Sequence, residues 1–342
     1  MKILIPAYQP DKKLIKLIKD LKKQTDMSII VVDDGSGEKY QNIFNQAKKL
    51  ECEVISYPDN HGKGFAIKTG IKYLKEIGES DGFVSADADG QHTTKDIINI
   101  SNTLLEQKCD IVLGTRDFNL PEVPLRNRIG NKFTITLFNA MTGLPLKDTQ
   151  TGLRAYSSKL FDMLLEVDGD RYEYEFNILI KISENDLKYI QVPIETIYDD
   201  NKSSHFRPIL DSVLIYKPLA RFLFSSLSSA LLDFILLFIF KYLTNNLLYA
   251  VVLSRIISSL FNFIINRNIV FKNKAGKIHI HLIKYYSLAI IILALNYLSL
   301  HLLYEIIGIP LVIAKIFVEI VLYAISFIAQ KRFIFKNSWQ ST

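Results

Sequence analysis

Cysteine is scarce: the 342 residues contain only Cys52 and Cys109. Two thiols exclude a disulfide-built scaffold, and their apolar surroundings are those of reduced core residues. Tryptophan occurs once, as Trp339. Acidic residues nearly vanish from the last third of the chain. Residues 219–342 hold Asp233, Glu305 and Glu319 against 12 Lys+Arg, which leaves 32 acidic and 29 basic residues in 1–218. The formal charge of +6 is therefore −3 in the first part and +9 in the second. An isoelectric point near 9.0 ordinarily raises nucleic-acid binding. Here the basic excess sits in the apolar part, which favours a membrane. A secretory leader is not expected either: Ile3-Leu4-Ile5 runs into Pro6, well short of the ~7–15 apolar residues of such a segment. The first part is thus expected to stay in the cytosol. Hydrophobic residues at 49% and aromatics at 11% exclude disorder. A mean hydropathy of +0.16 suits neither a soluble enzyme nor a pure membrane bundle, and reads as an average over two unlike parts.

The first part alternates strand and helix patterns. Short apolar runs at 3–6, 28–32, 53–57, 82–86 and 110–114 read as strands, the second running into a turn at Asp33-Asp34-Gly35-Ser36. Stretches 12–23, 40–50, 64–77 and 96–107 carry apolar residues at helical spacing, as at Leu14, Leu17, Ile18 and Leu21. This alternation predicts an α/β sandwich with a mainly parallel sheet, in which ligands bind beyond the carboxyl ends of strands. The polar clusters fall at those ends: Tyr8, Asp33-Asp34, Asn60-His61-Gly62-Lys63, Asp87-Ala88-Asp89 and Thr115-Arg116.

The sharpest chemical signal is Asp87-Ala88-Asp89-Gly90-Gln91-His92 after an apolar strand. Two carboxylates one residue apart, with an amide two further on, offer oxygen ligands to a hard cation such as Mg²⁺ or Mn²⁺ carrying a diphosphate. A solvated Asp/Gly turn is the plainer alternative, and His92 reads as a third ligand or, more plainly, as a solvent-facing turn residue. Asn60-His61-Gly62-Lys63-Gly64 lacks the spacing of a nucleoside-triphosphatase loop. Its glycines still permit close backbone approach, with Lys63 at a helix start, so it reads as a nucleotide-facing loop or a plain turn.

In order along the chain, Ile5-Pro6-Ala7-Tyr8, Val31-Val32-Asp33-Asp34-Gly35-Ser36, Asn60-x-Gly62-Lys63-Gly64, Asp87-Ala88-Asp89-Gly90-Gln91, Gly114-Thr115-Arg116 and Asp148-Thr149-Gln150-Thr151-Gly152-Leu153-Arg154 resemble a family 2 glycosyltransferase. More narrowly they are similar to the polyprenyl-phosphate sugar synthases of the dolichol-phosphate mannose synthase group, over residues 1–215. The resemblance implies a GT-A fold, a Rossmann-like α/β domain for nucleotide-diphospho-sugars, with a nucleotide-sugar donor and Mg²⁺ or Mn²⁺. It implies nucleotide-sugar contacts for Pro6, Ala7, Tyr8, Asp33, Asp34, Lys63, Asp87, Ala88, Asp89, His205 and Arg207, and metal ligation by Asp87, Asp89 and Gln91. Pro10 stands where relatives often carry an acidic residue, and His205 where they often carry Lys. An anionic acceptor needs cations. The resemblance assigns Arg116 and one of Arg126 or Arg128, in a loop with Pro121 and Pro124, to the acceptor phosphate. It assigns Asp148 to orienting the reacting groups. Residues 130–146 read either as an interfacial helix on the bilayer or as a core helix. Glu173 and Glu175 are weaker candidates, ordinary for a helix start. The implied reaction is one in-line displacement with inversion. A phosphate monoester is already charged and does not strictly need a general base.

The second part, 216–342, carries apolar runs at 222–240, 247–265, 285–307 and 309–329, each near the ~20 residues that cross a bilayer. Lys and Arg flank one side: Lys217 and Arg221; Arg267, Lys272, Lys274, Lys277 and Lys284; Lys331, Arg332 and Lys336. The expectation is a multi-pass protein of the cell membrane with the catalytic domain and both termini cytosolic. Residues 261–273 match 325–337 at an offset of 64, a parallel repeat of two hairpins. Asp233, Arg255, Lys315 and Glu319 are intramembrane charges that this reading gathers into one cluster, pairing Arg255 with Glu319. This part resembles the GtrA-like four-span family, linked to polyprenyl-phosphate-sugar pathways.

The combined expectation is an inverting glycosyltransferase moving a hexose from UDP-glucose or UDP-N-acetylglucosamine to undecaprenyl or polyprenyl phosphate, for cell-envelope (cell-wall) glycosylation. The alternatives are a GDP-mannose-dependent synthase and a non-enzymatic lipid-linked-sugar carrier or flippase. A processive polysaccharide synthase would carry Gln-x-x-Arg-Trp, and the one tryptophan lies in the tail. The partners expected are the donor, the lipid acceptor and the bilayer, without nucleic acid; a homo-oligomer stays open.

Overall fold

The computed structural model describes residues 1–120, 123, 125–195, 208–271 and 277–335. His205, Arg207, Pro121, Pro124, Lys272, Lys274 and Lys336 lie outside them, as do the side chains of Arg126 and Lys217. The chain forms two compact units, Met1–Leu214 and Ile215–Thr342.

The first unit opens with β1 (Lys2–Ala7), α1 (Lys12–Gln24), β2 (Ile29–Asp34) and α2 (Gln41–Lys49). Asp11 caps α1 by accepting from the Lys13 amide at 2.7 Å. Leu14, Ile15, Leu17, Ile18 and Leu21 are all buried along one face, each contributing about 1.5–3 kcal/mol. Next come β3 (Glu53–Tyr57), α3 (Lys63–Glu76), β4 (Gly82–Ser85), α4 (Thr94–Gln107) and β5 (Ile111–Thr115). The unit is completed by α5 (Leu125–Thr142), β6 (Arg154–Ser157), α6 (Phe161–Glu166), α7 (Glu173–Glu184) and β7 (Tyr189–Pro193). The sheet order is β3-β2-β1-β4-β6-β5-β7, with β6 antiparallel to both neighbours.

That inserted strand positions the site. Because β6 runs backwards, its first residue, Arg154, pairs with Ser85 at the end of β4. The loop that precedes it therefore shares the edge where β1, β2, β4 and β5 end.

Three local expectations change. Asp33 and Asp34 are the last residues of β2 rather than a following turn. Arg126 and Arg128 fall in the first turn of α5 rather than in a loop. Part of α5 faces the unit's own core: Phe138 is buried, with its ring edge-on to Phe176 at 4.9 Å.

The second unit contains α8 (Pro208–Thr244), α9 (Leu247–Ile265), α10 (Ile278–Leu300) and α11 (Leu311–Ala329). The last three run on as π-helical turns at Asn266–Val270, His301–Ile306 and Gln330–Ile334. Four segments are long and apolar enough to cross a membrane: Ala220–Thr244, Leu247–Val270, Ile278–Ile306 and Leu311–Ile334. The 64-residue repeat has a physical form. Asn266 Nδ2 donates to Gln330 Oε1 at 3.0 Å, and the Phe271 and Phe335 rings stack at 5.1 Å. Both pairs are repeat equivalents. Asn262 Nδ2 donates to Ser229 Oγ at 3.0 Å, and its Oδ1 accepts from Asn266 and from Tyr285. Gln330 donates to Ser326. One chain of side-chain hydrogen bonds thus touches all four helices, giving the Asn262, Asn266 and Gln330 amide nitrogens acceptors that hydrocarbon could not supply. The expected single charge cluster is instead two: Arg255 pairs with Asp233, and Lys315 with Glu319.

Candidate active site

Burial and hydrogen bonding, rather than solvent, fix the polar strand ends. At the end of β2, buried Asp33 accepts from the Ser36 amide at 2.9 Å, and Ser36 Oγ accepts from the Gln9 amide at 2.8 Å. Gln9 adopts a left-handed φ of 49°, so this bond holds the turn after Tyr8, whose hydroxyl accepts from Gln9 Nε2. Pro6 and Ala7 are buried in β1 and Tyr8 is half-buried.

Asp34 organises the neighbouring loop. Its Oδ1 accepts from Tyr57 Oη at 2.7 Å and the His61 amide at 2.9 Å, and its Oδ2 from Asn60 Nδ2 at 2.6 Å and the Gly62 amide at 2.9 Å. Burial, with this bond to Asp34, pushes the Tyr57 hydroxyl well above its ordinary range. Gly62 precedes α3 with φ +112°, and a Cβ there would meet the Asp170 carbonyl oxygen at 2.5 Å. Only glycine fits both the angle and the approach.

Lys63, the first residue of α3, lies between two carboxylates: 2.6 Å from Asp87 Oδ1 and 2.9 Å from Glu175 Oε2. His92 Nε2 lies 3.2 Å from Asp87 Oδ2. Burial disfavours charge on Asp87, but Lys63 and then His92 outweigh it and hold its carboxyl far below the usual range. Burial likewise opposes charge on Lys63, and Asp87 and Glu175 reverse this, raising its affinity for the proton. Asp89 is pushed up, first by burial and then by the charge of Asp87. Its Oδ1 accepts from the Gln91 amide at 3.0 Å; Ala88 and Gln91 are half-buried. His92 is buried, not solvent-facing, because Asp87 draws it inward. Glu175 likewise does more than start a helix, since it shares Lys63.

The loop before β6 closes the other side. Buried Asp148 receives Arg116 as a fork, Nε to Oδ2 at 2.8 Å and Nη2 to Oδ1 at 3.2 Å, plus the Gln150 amide at 2.8 Å. Arg154, missed as a functional candidate, is 1% exposed. It donates to the carbonyls of Thr151 at 2.9 Å and Glu175 at 2.6 Å, binding this loop to α7. A Cβ on Gly152 would stand 2.5 Å from both Asp87 Oδ2 and Lys63 Nζ, so the absence of a side chain there lets the ion pair seat against the loop. Arg128 Nη2 donates to the Leu120 carbonyl at 2.9 Å.

Lys63, Asp87, Asp89, His92, Gly152 and Glu175 are thus joined by direct contact or close sequence, and Arg116 with Asp148 forms a pair on the adjoining loop. Among the described residues no three Asp, Glu, His or Cys side chains form a closed metal cage. The Asp89 carboxyl, destabilised as an anion by burial and a like charge, is nonetheless suited to a hard cation. Such a cation can complete its shell with diphosphate oxygens and water rather than further protein ligands.

The model of Glycosyl transferase family 2 matches residues 2–165, and that of the GtrA/DPMS transmembrane domain matches residues 221–335. The UDP-N-acetylglucosamine--dolichyl-phosphate N-acetylglucosaminyltransferase of Methanococcus voltae is 32% identical over 219 residues, covering 58% of this chain and 86% of that one. The chain belongs to glycosyltransferase family 2. An uncharacterized protein of Methanocaldococcus jannaschii is 34% identical over 210 residues, covering 59% of this chain and 83% of its own length. Glycosyltransferase AglJ of Haloferax volcanii is 25% identical over 224 residues, covering 64% and 70%. Among solved structures, glucosyl-3-phosphoglycerate synthase from Mycobacterium tuberculosis, crystallised with Mn²⁺, uridine diphosphate and phosphoglyceric acid, shows 17% identity and a TM-score of 0.49, covering 64% of this chain and 75% of that one. By its family matches the chain is a glycosyltransferase, its sheet mixed, joined to a GtrA/DPMS transmembrane domain.

Proposed function

We propose that this glycosyltransferase moves a hexose from a uridine-diphosphate sugar, UDP-glucose or UDP-N-acetylglucosamine, to a polyprenyl phosphate such as undecaprenyl phosphate. The observation that carries the reading is that one chain holds both the strand-end carboxylate site and four membrane-crossing segments. A chain that is itself embedded in the bilayer is suited to an acceptor that never leaves it. The Methanococcus relative, whose name specifies a dolichyl-phosphate acceptor, supports the same class.

Residues 1–215 act as the catalytic domain and 216–342 as the membrane domain. The basic flanks of the spans assign both termini and the catalytic domain to the cytosolic side. Pro6, Ala7, Tyr8 and Asp33 line the nucleoside end, with Asp34 shaping the Asn60–Gly62 loop beside it. Asp87 and Ala88 lie against the donor. Lys63 fixes the orientation of Asp87, so that the strand end is built before the donor arrives. Asp89 and Gln91, with Asp87 adjacent, would hold Mg²⁺ or Mn²⁺. When bound, the ion supplies positive charge to the leaving diphosphate.

On the acceptor side, Asp148 sets the plane of the Arg116 guanidinium, and the resulting cation orients the lipid phosphate. Asp148 accepts from the backbone amide and the guanidinium of Arg116, on the loop after β5, and from the Gln150 amide, so both of its oxygens are engaged. It is therefore a positioning residue, not a base, which suits an acceptor that brings its own negative charge. The acceptor oxygen attacks the anomeric carbon as the bond to the diphosphate breaks, with inversion. Arg126, Arg128, His205 and Arg207 remain candidates for the same anions.

The test is a donor panel of UDP-glucose, UDP-N-acetylglucosamine and GDP-mannose with the full chain in lipid and undecaprenyl phosphate as acceptor. Transfer from a uridine donor is expected, and transfer from GDP-mannose alone would contradict the donor assignment.

A further inference from the structure

Two ion pairs lie within the membrane-crossing segments and are left open on the surface of the second unit. In the first hairpin Arg255 Nη2 stands 3.3 Å from Asp233 Oδ2, and Ser258 Oγ donates to Asp233 Oδ1 at 2.8 Å. In the second, Lys315 Nζ stands 2.6 Å from Glu319 Oε1. Asn296 Nδ2 donates to the same oxygen at 3.1 Å, and Lys315 donates to Asn296 Oδ1 at 3.3 Å. Each cluster joins the two helices of its own hairpin. Yet the Arg255 side chain is 74% exposed, Lys315 48% and Glu319 55%.

Their depth makes that exposure costly. Arg255 and Glu319 are each the ninth residue of their spans, Leu247–Val270 and Leu311–Ile334. At 1.5 Å per residue both lie about 12 Å inside the helix end. The Arg255 head is turned onto Asp233 and not along α9 toward the interface. A charged side chain facing hydrocarbon near the centre of a span is strongly disfavoured unless it is paired.

The two positions are equivalents in the 64-residue repeat, so they share a depth, and they carry opposite charge. We propose that the surface around Arg255 on one copy of the chain packs against the surface around Glu319 on a second copy. The charges then alternate in sign across the contact: Asp233 and Arg255 of one copy, Glu319 and Lys315 of the next. Arg255 and Glu319, the most exposed head of each pair, then each gain an opposite charge at their own level of the bilayer. Because the repeat relates the two surfaces through the Asn266–Gln330 contact, the interface is head-to-tail. Each copy presents one surface of each kind, so the contact is heterologous and can repeat from copy to copy.

The experiment uses the full chain in native membranes, with two differently tagged copies co-expressed. One carries Val252→Cys and the other Ile316→Cys, at exposed positions one turn from Arg255 and Glu319 and themselves repeat equivalents. Cys52 and Cys109 are buried, which keeps the background low. Oxidation is expected to give a disulfide-linked dimer of the two tags, with either variant expressed alone at least about tenfold weaker. Arg255→Gln should reduce the mixed cross-link by about tenfold. Arg255→Glu combined with Glu319→Arg should restore what either single reversal loses, although both internal pairs are then like-charged. Cross-linking no stronger between the two variants than within each would overturn the proposal. So would a cross-link indifferent to Arg255→Gln, a double reversal no better than the singles, or capture of a different protein alone.

Discussion

Removing the Lys63 ammonium leaves Asp87 and Glu175 facing each other, largely buried, without their shared cation. Breaking a buried pair from one side costs about 3–5 kcal/mol, so Lys63→Met should lower the unfolding free energy of the catalytic unit by that order, read by denaturant titration. It should also lower kcat, because Asp87 loses its fixed orientation. The same cluster sets a pH window. Asp87 is held below its ordinary value of 3.8, so its contribution is present above that value and lost as pH falls through the lowered one. Lys63 is raised above 10.5, so its contribution is complete below 10.5 and lost as pH rises through the raised value. Asp89 is shifted upward and opposes them, since its ionisation weakens the fold as pH rises through the acid range. The Asp87 and Lys63 contributions are therefore both present between 3.8 and 10.5, and thermal melts should show them lost at more acid and more alkaline pH. Gly152→Ala should reduce activity sharply while leaving the fold in place, because its methyl enters the space of the Lys63–Asp87 pair. An unchanged kcat in that variant would remove Gly152 from the site.

Among the elements, the parallel strands and their helices were readable because each pairs a short apolar run with a helical face of buried residues, as in α1. The loop before β6 was readable as a motif but not as structure. Arg154-Ala155-Tyr156-Ser157 is a four-residue strand opening on a charge, with nothing local to mark that it inserts antiparallel between β4 and β5. His92 and Glu175 were misjudged for the same reason. His92 has polar neighbours and Glu175 aromatic ones, Tyr174 and Phe176, but neither context names the partners, Asp87 and Lys63, that only the fold supplies. Arg154 shows the consequence, since its guanidinium ties the 149–151 loop to α7 through the carbonyls of Thr151 and Glu175. Arg154→Met fills the space but leaves those carbonyls without a donor. It should cost about 1–3 kcal/mol for each carbonyl left unpaired and weaken the Arg116–Asp148 pair held on the same loop. Lys is not an equivalent replacement, because it lacks the fork that reaches both acceptors. A variant with wild-type melting and activity would contradict that role.

At the scale of the whole molecule, the uneven charge of the two parts has a physical counterpart in two units, one with a mixed sheet and one with four membrane-crossing segments. The hydropathy pattern located the spans, and the third begins at Ile278, earlier than residue 285, because its first turns carry His279, His281 and Lys284 among apolar residues. The repeat was legible as a 64-residue offset. Its charges were misread as one cluster because an offset gives equivalence, not proximity. The acceptor is proposed to be a lipid phosphate. The most direct measurement is the transfer of labelled sugar from a uridine-diphosphate donor into the lipid phase by the purified full chain with Mn²⁺, with and without undecaprenyl phosphate, beside Asp89→Ala. The predicted result is a labelled lipid that forms only with the phosphate acceptor, is released by mild acid as expected of a sugar–phosphate ester, and is abolished in Asp89→Ala. Equal labelling with undecaprenol in place of its phosphate, or full activity in Asp89→Ala, would contradict it.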